Sequence, residues 1–365
     1  MRESRRRLAI GLCAALVPLL TTLATSSAAA TATPGRTTRI GIAYGDSLTW
    51  MTRAGVGAAL DDAVALHARW VRADLSWADV QPDGPDQHRW APFDRVVRSA
   101  RARGLRVLPL LGYSPAWARD PGCGSFACPP RNAAAFARFA RLAVRRYAPL
   151  GVHTWEIWNE PNLPTFWPHP DPDRYAALLR VTADAVRQAD PHARVLLGGL
   201  AAADSTTDGA IDPRTFLGQV CAAGACRGLS GVAYHPYTFP HLASDVTAPG
   251  TAWNRIAETH WSLRGVLDRY GFPRMKIWAT EFGAPTGGPG TSDHVTEARQ
   301  AEIAADAVVT AARSPDVTAL FWYTDRDDLA YLSNVAYFGL RRSDGSKKPA
   351  WSSFAAAAGR YAATR

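Results

Sequence analysis

Two glutamates lie at the ends of β-rich runs that are far apart in the sequence. Glu160 stands in Trp158-Asn-Glu-Pro-Asn162, and Glu281 stands in Thr280-Glu-Phe-Gly283. Cleavage of a glycosidic bond requires two carboxyl groups, one to protonate the leaving oxygen and one to attack or stabilise the anomeric carbon. Either glutamate alone could be a plain strand-to-turn residue. Together they predict glycoside chemistry, provided that their strands end at the same edge of the fold.

Eight β-rich runs recur along the chain and would position these carboxyl groups. Helical patterns with apolar residues three and four positions apart lie between the runs, and this alternation implies parallel strands joined by right-handed crossovers. The predicted strands are Arg39–Tyr44, Arg69–Asp74, Leu105–Gly112, Val152–Glu160, Arg194–Leu200, Ser230–Tyr237, Met275–Gly283 and Val317–Thr324. The predicted helices include Phe93–Arg103, Ala133–Tyr147, Asp173–Ala189, Ala252–Tyr270, Thr296–Arg313 and Trp351–Ala363, with Asp173 and Thr296 as N-caps.

Eight strand–helix units predict a closed (β/α)8 barrel of the α/β class. An open, doubly wound sheet is the alternative, but such a sheet normally carries a glycine-rich phosphate loop after its first strand. The chain has Gly45-Asp-Ser-Leu-Thr49 at that position, which is no such loop. Because a (β/α)8 barrel carries its chemistry at the C-terminal ends of the strands, both glutamates would face one mouth. We predict a single catalytic domain over residues 31–365.

These motifs resemble those of the retaining glycoside hydrolases of clan A, the 4/7 superfamily. The similarity runs across the whole barrel and is strongest to glycoside hydrolase family 39, followed by the family 5 cellulase-like enzymes. It implies that Glu160 is the general acid/base and Glu281 the nucleophile. Family 5 enzymes usually carry a histidine after strand three, whereas this chain has Tyr113 and Ser114. The resemblance also implies substrate contacts by Arg72, Asn159, His235, Tyr237 and, beneath the cleaved sugar, Trp322.

The two carboxyl groups need different surroundings for this division of roles. Glu281 must stay ionised, and Arg72 and the hydroxyl of Tyr237 could hold it as a carboxylate. Glu160 must instead hold a proton that it can pass to the leaving oxygen. His235 could also be an ordinary interior histidine. The alternative role of Arg72 is in the barrel core, as a partner of Asp74 or Glu156.

Tryptophan is unusually frequent, with 13 copies. Several tryptophans follow predicted strands, where a ring would face the cleft and stack on a sugar, although plain packing is about as common for any single one. A spread of rings around the mouth favours an open groove and internal (endo) cleavage of a chain. These residues are Trp50, Trp77, Trp117 and Trp167, of which Trp117 and Trp167 are candidate substrate contacts.

The first thirty residues have the pattern of a secretory signal peptide. A basic start, the apolar run Leu8–Leu23 and the small residues Ala28-Ala29-Ala30 match its three regions. Ser4-Arg5-Arg6 also fits a twin-arginine export signal, and retention as a membrane anchor is the alternative to cleavage. We therefore predict a secreted protein from which residues 1–30 are removed.

Four cysteines outside this segment form two close pairs. In an oxidising compartment their spacing predicts the local disulfides Cys123–Cys128 and Cys221–Cys226. A zinc site of four thiolates is the alternative, but zinc-binding pairs usually have the tighter C-x2-C spacing. We therefore expect neither a metal nor a cofactor.

Composition excludes several other classes of protein. The chain has 365 residues, of which 47% are hydrophobic and 20% charged, as is typical of globular proteins. The net charge is +9, but the basic residues are scattered, so we expect a carbohydrate and not a nucleic acid as the partner. Beyond the N-terminus no apolar run approaches the ~20 residues of a membrane span. Two alternatives remain open: a non-catalytic carbohydrate-binding barrel, and a metal-dependent hydrolase, which would be expected to carry His-x-His on strand one.

Overall fold

Eight parallel strands form a closed barrel in which each strand pairs with its neighbours in sequence and β8 pairs with β1. The computed structural model describes residues 38–248, 250–290, 294–330 and 332–361, so the predicted signal peptide lies outside the described residues. The strands are β1 Arg39–Ala43, β2 Trp70–Ser76, β3 Arg106–Gly112, β4 Thr154–Asn159, β5 Arg194–Ala201, β6 Gly231–His235, β7 Lys276–Phe282 and β8 Val317–Tyr323.

Helices cover the outside of the barrel and lie between successive strands. Their apolar residues pack against the outward faces of the strands in one large core. Within the described residues the helices are α1 Ser47–Trp50, α2 Arg53–Ala65, α3 Trp77–Val80, α4 Ala91–Ala102, α5 Ala133–Tyr147, α6 Pro172–Ala189, α7 Pro213–Ala222, α8 Leu263–Arg269, α9 Glu297–Arg313 and α10 Pro349–Tyr361. None of these described helices is both long and apolar enough to cross a membrane.

A second, smaller core fills the barrel near the N-terminal ends of the strands. The rings of Trp70 and Trp278 meet edge to face, with centroids 5.7 Å apart. The guanidinium group of Arg39 lies over the Trp278 ring at 5.1 Å from its centroid, and that of Arg106 lies over the Trp70 ring at 5.6 Å. Because this end is filled by apolar rings under cations, the open space lies at the C-terminal ends of the strands.

The predicted (β/α)8 fold is confirmed, and all eight strand predictions agree with the structure to within two residues at each end. Both predicted disulfides, Cys123–Cys128 and Cys221–Cys226, are present. Thr296 caps α9 as predicted, since its side chain accepts a hydrogen bond from the amide of Arg299. The N-cap of α6 is Asp171 and not Asp173, because Pro172 supplies the first helical residue.

The continuous helix predicted over Ala252–Tyr270 is wrong. Only a short 3-10 turn, Asn254–Ile256, and helix α8 form within this range. Ser262 begins α8 by accepting a hydrogen bond from the amide of Gly265. A side-chain oxygen that caps a new helix start competes with continuation of a preceding helix, and the apolar period alone does not register this competition.

Candidate active site

A cleft of about 520 Å³ lies at the C-terminal ends of the strands. It is lined by Glu160 from the end of β4 and by Glu281 from β7, so the two predicted carboxyl groups do share one mouth. Asn159 and Tyr237 also line it. One carboxylate oxygen of Glu160 and one of Glu281 lie within 4.8 Å of each other. The structure thus places two carboxyl groups where both can reach the same small group of substrate atoms.

Glu281 is held as a carboxylate from two sides. Arg72 Nη1 lies 2.5 Å from its Oε1, and the hydroxyl of Tyr237 donates to its Oε2 at 2.8 Å. Burial alone would raise the pKa of Glu281, but the positive charges of His235 and Arg72 and these hydrogen bonds outweigh burial and lower the pKa. An ionised carboxylate at this position can act as a nucleophile.

Arg72 is fully buried and is shared between the barrel core and the site. Its Nε donates to Glu156 at 2.8 Å, and its Nη2 donates to Asn159 Oδ1, also at 2.8 Å. Burial opposes the charged form, but Glu156 and Glu281 raise the pKa of the guanidinium well above its usual value. Arg72 therefore fills both roles considered from the sequence, because it pairs with Glu156 and with Glu281. The Asn159 oxygen is taken by Arg72, which leaves the amide NH2 for a substrate.

Glu160 has a different partner, the buried His235. His235 Nδ1 lies 2.8 Å from Glu160 Oε1 and 3.6 Å from Glu281 Oε2, and its Nε2 lies 3.2 Å from the Thr280 hydroxyl. Burial would lower the pKa of His235, but Glu281 and Glu160 raise it. Thr280 gives its own proton to Glu156, so its oxygen accepts from His235. His235 thus donates through Nε2 and faces Glu160 through Nδ1, so a proton on Glu160 or on Nδ1 completes the hydrogen bond between them.

The backbone around these side chains adopts conformations that are rare outside glycine. Tyr113, Trp158 and Glu160 have φ angles of 63°, 72° and 41°. Such residues cost free energy and cluster at functional sites. In a regular strand, consecutive side chains point to opposite faces. Here Asn159 and Glu160 both turn into the cleft, Asn159 on Arg72 and Glu160 on His235, so the irregular backbone delivers two neighbouring functional groups to one side.

Residues 134–357 match the sequence profile described as Glycosyl hydrolases family 39, which is more than half of the chain. The chain belongs to glycoside hydrolase family 39. It is 29% identical over 225 residues to a β-xylosidase of Geobacillus stearothermophilus, an alignment that covers 56% of this chain and 43% of that protein. The chain therefore spans less than half the length of this curated relative.

Solved structures support the fold of this family 39 member. A family 39 glycoside hydrolase from Bacteroides cellulosilyticus is similar with a TM-score of 0.69 and 23% identity, over 88% of this chain and 64% of that one. A GH5_18 protein from Streptomyces cattleya, solved in complex with GlcNAc, gives a TM-score of 0.67 and 23% identity, over 89% and 80% of the two chains. The predicted membership of family 39 is thus confirmed by the profile match, and the solved structures confirm the barrel fold.

Trp322, which was expected beneath the cleaved sugar, points away from the cleft in this family 39 barrel. It is fully buried, donates to the carbonyl of Phe338 and packs against Phe354 of α10. The next residue, Tyr323, lines the cleft instead. Strand side chains alternate between the two faces, so a shift of one residue exchanges a cleft ring for a core ring.

The other tryptophans expected around the mouth are mostly core residues. Trp167 and Trp77 are each only 1% exposed, and Trp167 packs between Trp158 and a tyrosine of α6. Trp117 packs edge to face on Trp77 and donates to the carbonyl of Gln81, away from the residues that line the cleft. Trp50 alone among the four lines the cleft, and it is 70% exposed.

Several cleft residues were not identified as site residues from the sequence. Phe126 lies inside the Cys123–Cys128 loop and Phe166 follows β4, where its carbonyl accepts from Trp158. Asp74 follows Arg72 by two positions on β2, and this period is the signal that could have placed both on the inner face. Phe126 and Phe166 could not be placed in this way, because they lie outside the strands, and the alternation of side chains along a strand does not predict the path of a loop.

Among the described residues, Glu160, His235 and Glu281 form a group that could hold a metal ion. Each offers one potential ligand atom, and these three atoms lie within 4.8 Å of one another. A metal would have to displace the proton that His235 Nδ1 shares with the carboxyl groups. Their hydrogen-bond pattern is that of an acid–base site, and the metal-dependent alternative becomes a matter for a chelation experiment.

Proposed function

We propose that this protein hydrolyses β-O-glycosidic bonds of an oligosaccharide or polysaccharide by double displacement, with retention of the anomeric configuration. The observation that carries the proposal is the unequal treatment of two close carboxyl groups. Glu281 is bound by Arg72 and Tyr237 as an anion, whereas Glu160 contacts only the His235 imidazole among the polar side chains given above. The oxygen separation within 4.8 Å agrees with the ~5–5.5 Å between carboxyl groups in retaining enzymes, against ~6.5–9.5 Å in inverting ones.

In this mechanism Glu160 gives its proton to the leaving oxygen while a Glu281 oxygen forms a bond to the anomeric carbon. The bond between that carbon and the leaving oxygen breaks, and a glycosyl ester of Glu281 remains. Glu160, now ionised, takes a proton from water as the water attacks the same carbon and releases Glu281. The Asn159 amide donates to the 2-hydroxyl of the sugar, a contact that strengthens in the transition state.

Product stereochemistry and two variants test this mechanism. Proton NMR of the first product formed from an aryl β-glycoside should show the β-anomer. Glu281→Ala should abolish turnover. Glu160→Ala should retain the first step on an activated aryl glycoside, and azide should restore turnover by attacking the glycosyl-enzyme without base assistance. Glu302→Ala, an exposed carboxylate on α9, is the control variant and should behave as wild type.

Three results would contradict the proposal. An α-product would indicate inversion, and azide rescue of Glu281→Ala with Glu160→Ala inactive would exchange the two roles. Loss of activity in EDTA, with recovery on addition of a divalent metal, would favour the metal-dependent alternative. The relative named a β-xylosidase makes aryl β-xylosides the first substrates to test.

We also propose that the cleavage is internal. Of the tryptophans expected around the mouth only Trp50 lines the cleft, and two phenylalanines join it there. Trp50 after β1, Phe126 after β3 and Phe166 after β4 line the cleft from three separate strand-to-helix connections, and Phe126 is 58% exposed. Each ring can stack on one sugar of a chain that crosses the mouth, which favours a groove over a pocket for a single end sugar.

Digestion of a long xylan or glucan should therefore first give a ladder of oligosaccharides and a rapid fall in viscosity. Trp50→Ala should raise KM for these long substrates by about 5–10-fold while leaving aryl monoglycosides nearly unchanged, because stacking contributes roughly 1 kcal/mol per ring. Leu329→Ala, which removes another exposed apolar side chain, is the control. Early release of monosaccharide alone would contradict internal cleavage.

Export from the cell is the remaining part of the proposal. It is supported by the signal-like N-terminal sequence and by the two disulfides, which persist mainly in oxidising compartments. Mass spectrometry of protein from the culture medium should give an N-terminus near residue 31. Recovery of the uncleaved chain from the membrane fraction would favour the anchor alternative.

A further inference from the structure

Asp74 is a buried carboxyl group in the cleft that the mechanism above does not use. It lies on β2, two residues beyond Arg72, is 8% exposed, and lines the cleft together with Glu160 and Glu281. Its Oδ2 accepts a hydrogen bond from the hydroxyl of Tyr113 at 3.2 Å. Its Oδ1 has no hydrogen-bond partner among the described residues.

Glu156, the other buried carboxylate beside Arg72, has hydrogen-bond donors for both of its oxygens, whereas Asp74 has a donor for only one. Glu156 accepts from two nitrogens of Arg72, from the amide of Gly199 and from the hydroxyl of Thr280. The nitrogens of Arg72 donate to Glu156, Glu281 and Asn159, so none of these hydrogen bonds reaches Asp74. A buried oxygen without a partner is costly, and the cost is removed if a bound molecule supplies a donor.

Resting on the proposed function, we propose that Asp74, oriented by Tyr113, determines specificity by binding the 3-hydroxyl of the sugar whose bond is cleaved. The position follows from the order of strands around the barrel. On the side of β4 away from β5, the neighbouring strand is β3, and the strand beyond it is β2. Asn159, at the end of β4, binds the 2-hydroxyl in the mechanism above. The next hydroxyl around the sugar ring then faces Asp74 and Tyr113.

The chemistry of the pair selects a neutral hydroxyl over an anionic group. Burial raises the pKa of Asp74 to about 7, so the carboxyl group can both accept and donate at neutral pH. A hydroxyl matches both properties, whereas a carboxylate or sulfate at this position would face Asp74, Asp46 and Glu281. Asp74 and Tyr113 both lie outside residues 134–357, the part of the chain that matches the family profile.

Tyr113 is held in place for this role. Its backbone has a φ of 63°, and its ring packs against Trp158 and against Phe126 of the disulfide-closed loop. A site built to bind a substrate hydroxyl rejects the analogue that lacks it by several orders of magnitude, because the polar groups of the site are then left unpaired. We therefore expect the wild type to discriminate strongly against a 3-deoxy sugar.

A cycle of variants and substrates tests the proposal. The probe is whichever p-nitrophenyl β-glycoside, of xyloside, glucoside, galactoside and mannoside, the wild type hydrolyses fastest, together with its 2-, 3- and 4-deoxy analogues. Asp74→Ala should lower kcat/KM for the parent by about 100-fold or more, and Asp74→Asn, which keeps an acceptor and a donor but not the carboxyl group, by about 10-fold; both should change it by less than about 3-fold for the 3-deoxy sugar. The cycle cancels the intrinsic difference in reactivity between the two sugars. Tyr113→Phe should show the same pattern at about 10-fold.

Asp79→Asn is the matched control, since Asp79 lines the same cleft from α3 and should affect parent and 3-deoxy sugars equally. Equal losses on both sugars for Asp74→Asn, with an unchanged melting temperature, would overturn the proposal in favour of a structural role. Coupling to the 2- or 4-hydroxyl would overturn the assignment of the hydroxyl. If the wild type hydrolyses none of the glycosides, the proposed function fails, and calorimetric binding of the same sugars to wild type and Asp74→Asn then decides the inference by itself.

Discussion

The two catalytic candidates are the same residue type, so their neighbours must separate their roles. Glu281 receives a guanidinium and a phenol hydroxyl, and Glu160 receives an imidazole. The donors around Glu281 favour its anion, and its pKa is lowered despite burial. The division of roles is therefore set by Arg72 and Tyr237 and not by the glutamates themselves.

Removal of one of these contacts should be visible in the pH dependence. Tyr237→Phe deletes the donor to the ionised form of Glu281, so the pKa of Glu281 should rise. Since the free enzyme needs this group ionised, the acidic limb of kcat/KM against pH should move upward by about 1 unit. Tyr234→Phe in β6 is the control, because the Tyr234 hydroxyl donates to the backbone carbonyl of Ala252. An acidic limb that coincides with the wild type would exclude this role for Tyr237.

At the scale of elements, β5 determines where the imidazole can lie. A Cβ atom added to Gly199 would lie 2.1 Å from Nε2 of His235, and one added to Gly198 would lie 2.3 Å from the carbonyl oxygen of Trp158. Real side-chain atoms do not approach so closely, so both positions require glycine for reasons of space. Strand β5 contributes no catalytic side chain, yet its bare backbone makes room for the histidine of β6 and for the irregular end of β4.

Gly199→Ala should consequently lower kcat by at least about 100-fold, because it displaces the imidazole that links the two glutamates. The barrel should remain folded, with a loss of about 1–3 kcal/mol from overpacking. Activity and thermal unfolding, measured on the same preparation, check both parts. Gly218→Ala in α7, where the added Cβ would meet only Val266 at 3.9 Å, is the matched control and should be neutral or slightly stabilising. Comparable activity in the two variants would refute the role of β5.

The elements show what sequence reasoning can and cannot reach. Period and spacing located all eight strands, and two motifs at strand ends located both glutamates, because these features are local in the chain. Trp322 was misplaced, since a strand prediction accurate to one or two residues does not say which face a side chain occupies. The sequence pointed to Asp74 only as a strand end and as an alternative partner of Arg72. Its importance depends on an oxygen without a partner, a property of the packed barrel that no window of sequence contains.

At the scale of the whole molecule, the charge of the cleft opposes the charge of the chain. The net charge is +9, yet five of the cleft residues carry carboxyl groups, and none of the described residues lining the cleft is lysine or arginine. Arg72 is buried, does not line the cleft and is already paired with Glu156 and Glu281. These five residues are Asp46, Asp74, Asp79, Glu160 and Glu281. We therefore expect the cleft to favour neutral sugars over polyanions.

A matched pair of substrates tests this preference. Wild-type kcat/KM for a p-nitrophenyl β-glucuronide should be at least about tenfold lower than for the β-glucoside, because the added carboxylate would lie near several others. The ratio should shrink as sodium chloride is raised from 0.02 to ~0.5 M, since salt screens this repulsion. The neutral substrate serves as the internal control. Faster turnover of the glucuronide, or a ratio insensitive to salt, would show that the carboxylates of the cleft do not select the substrate.

The two disulfides have a consequence for how the oxidised molecule is reached. Four cysteines allow three pairings, but each native partner is only five residues away, whereas Cys128 and Cys221 are separated by more than ninety. Random-flight closure favours the short loops by roughly two orders of magnitude, so we expect correct pairing without guidance from the assembled barrel. Wrong isomers that trap a half-formed barrel should be scarce, and a thiol isomerase superfluous. We expect the barrel to fold in a reducing cell as well, with the two disulfides formed afterwards by oxidation.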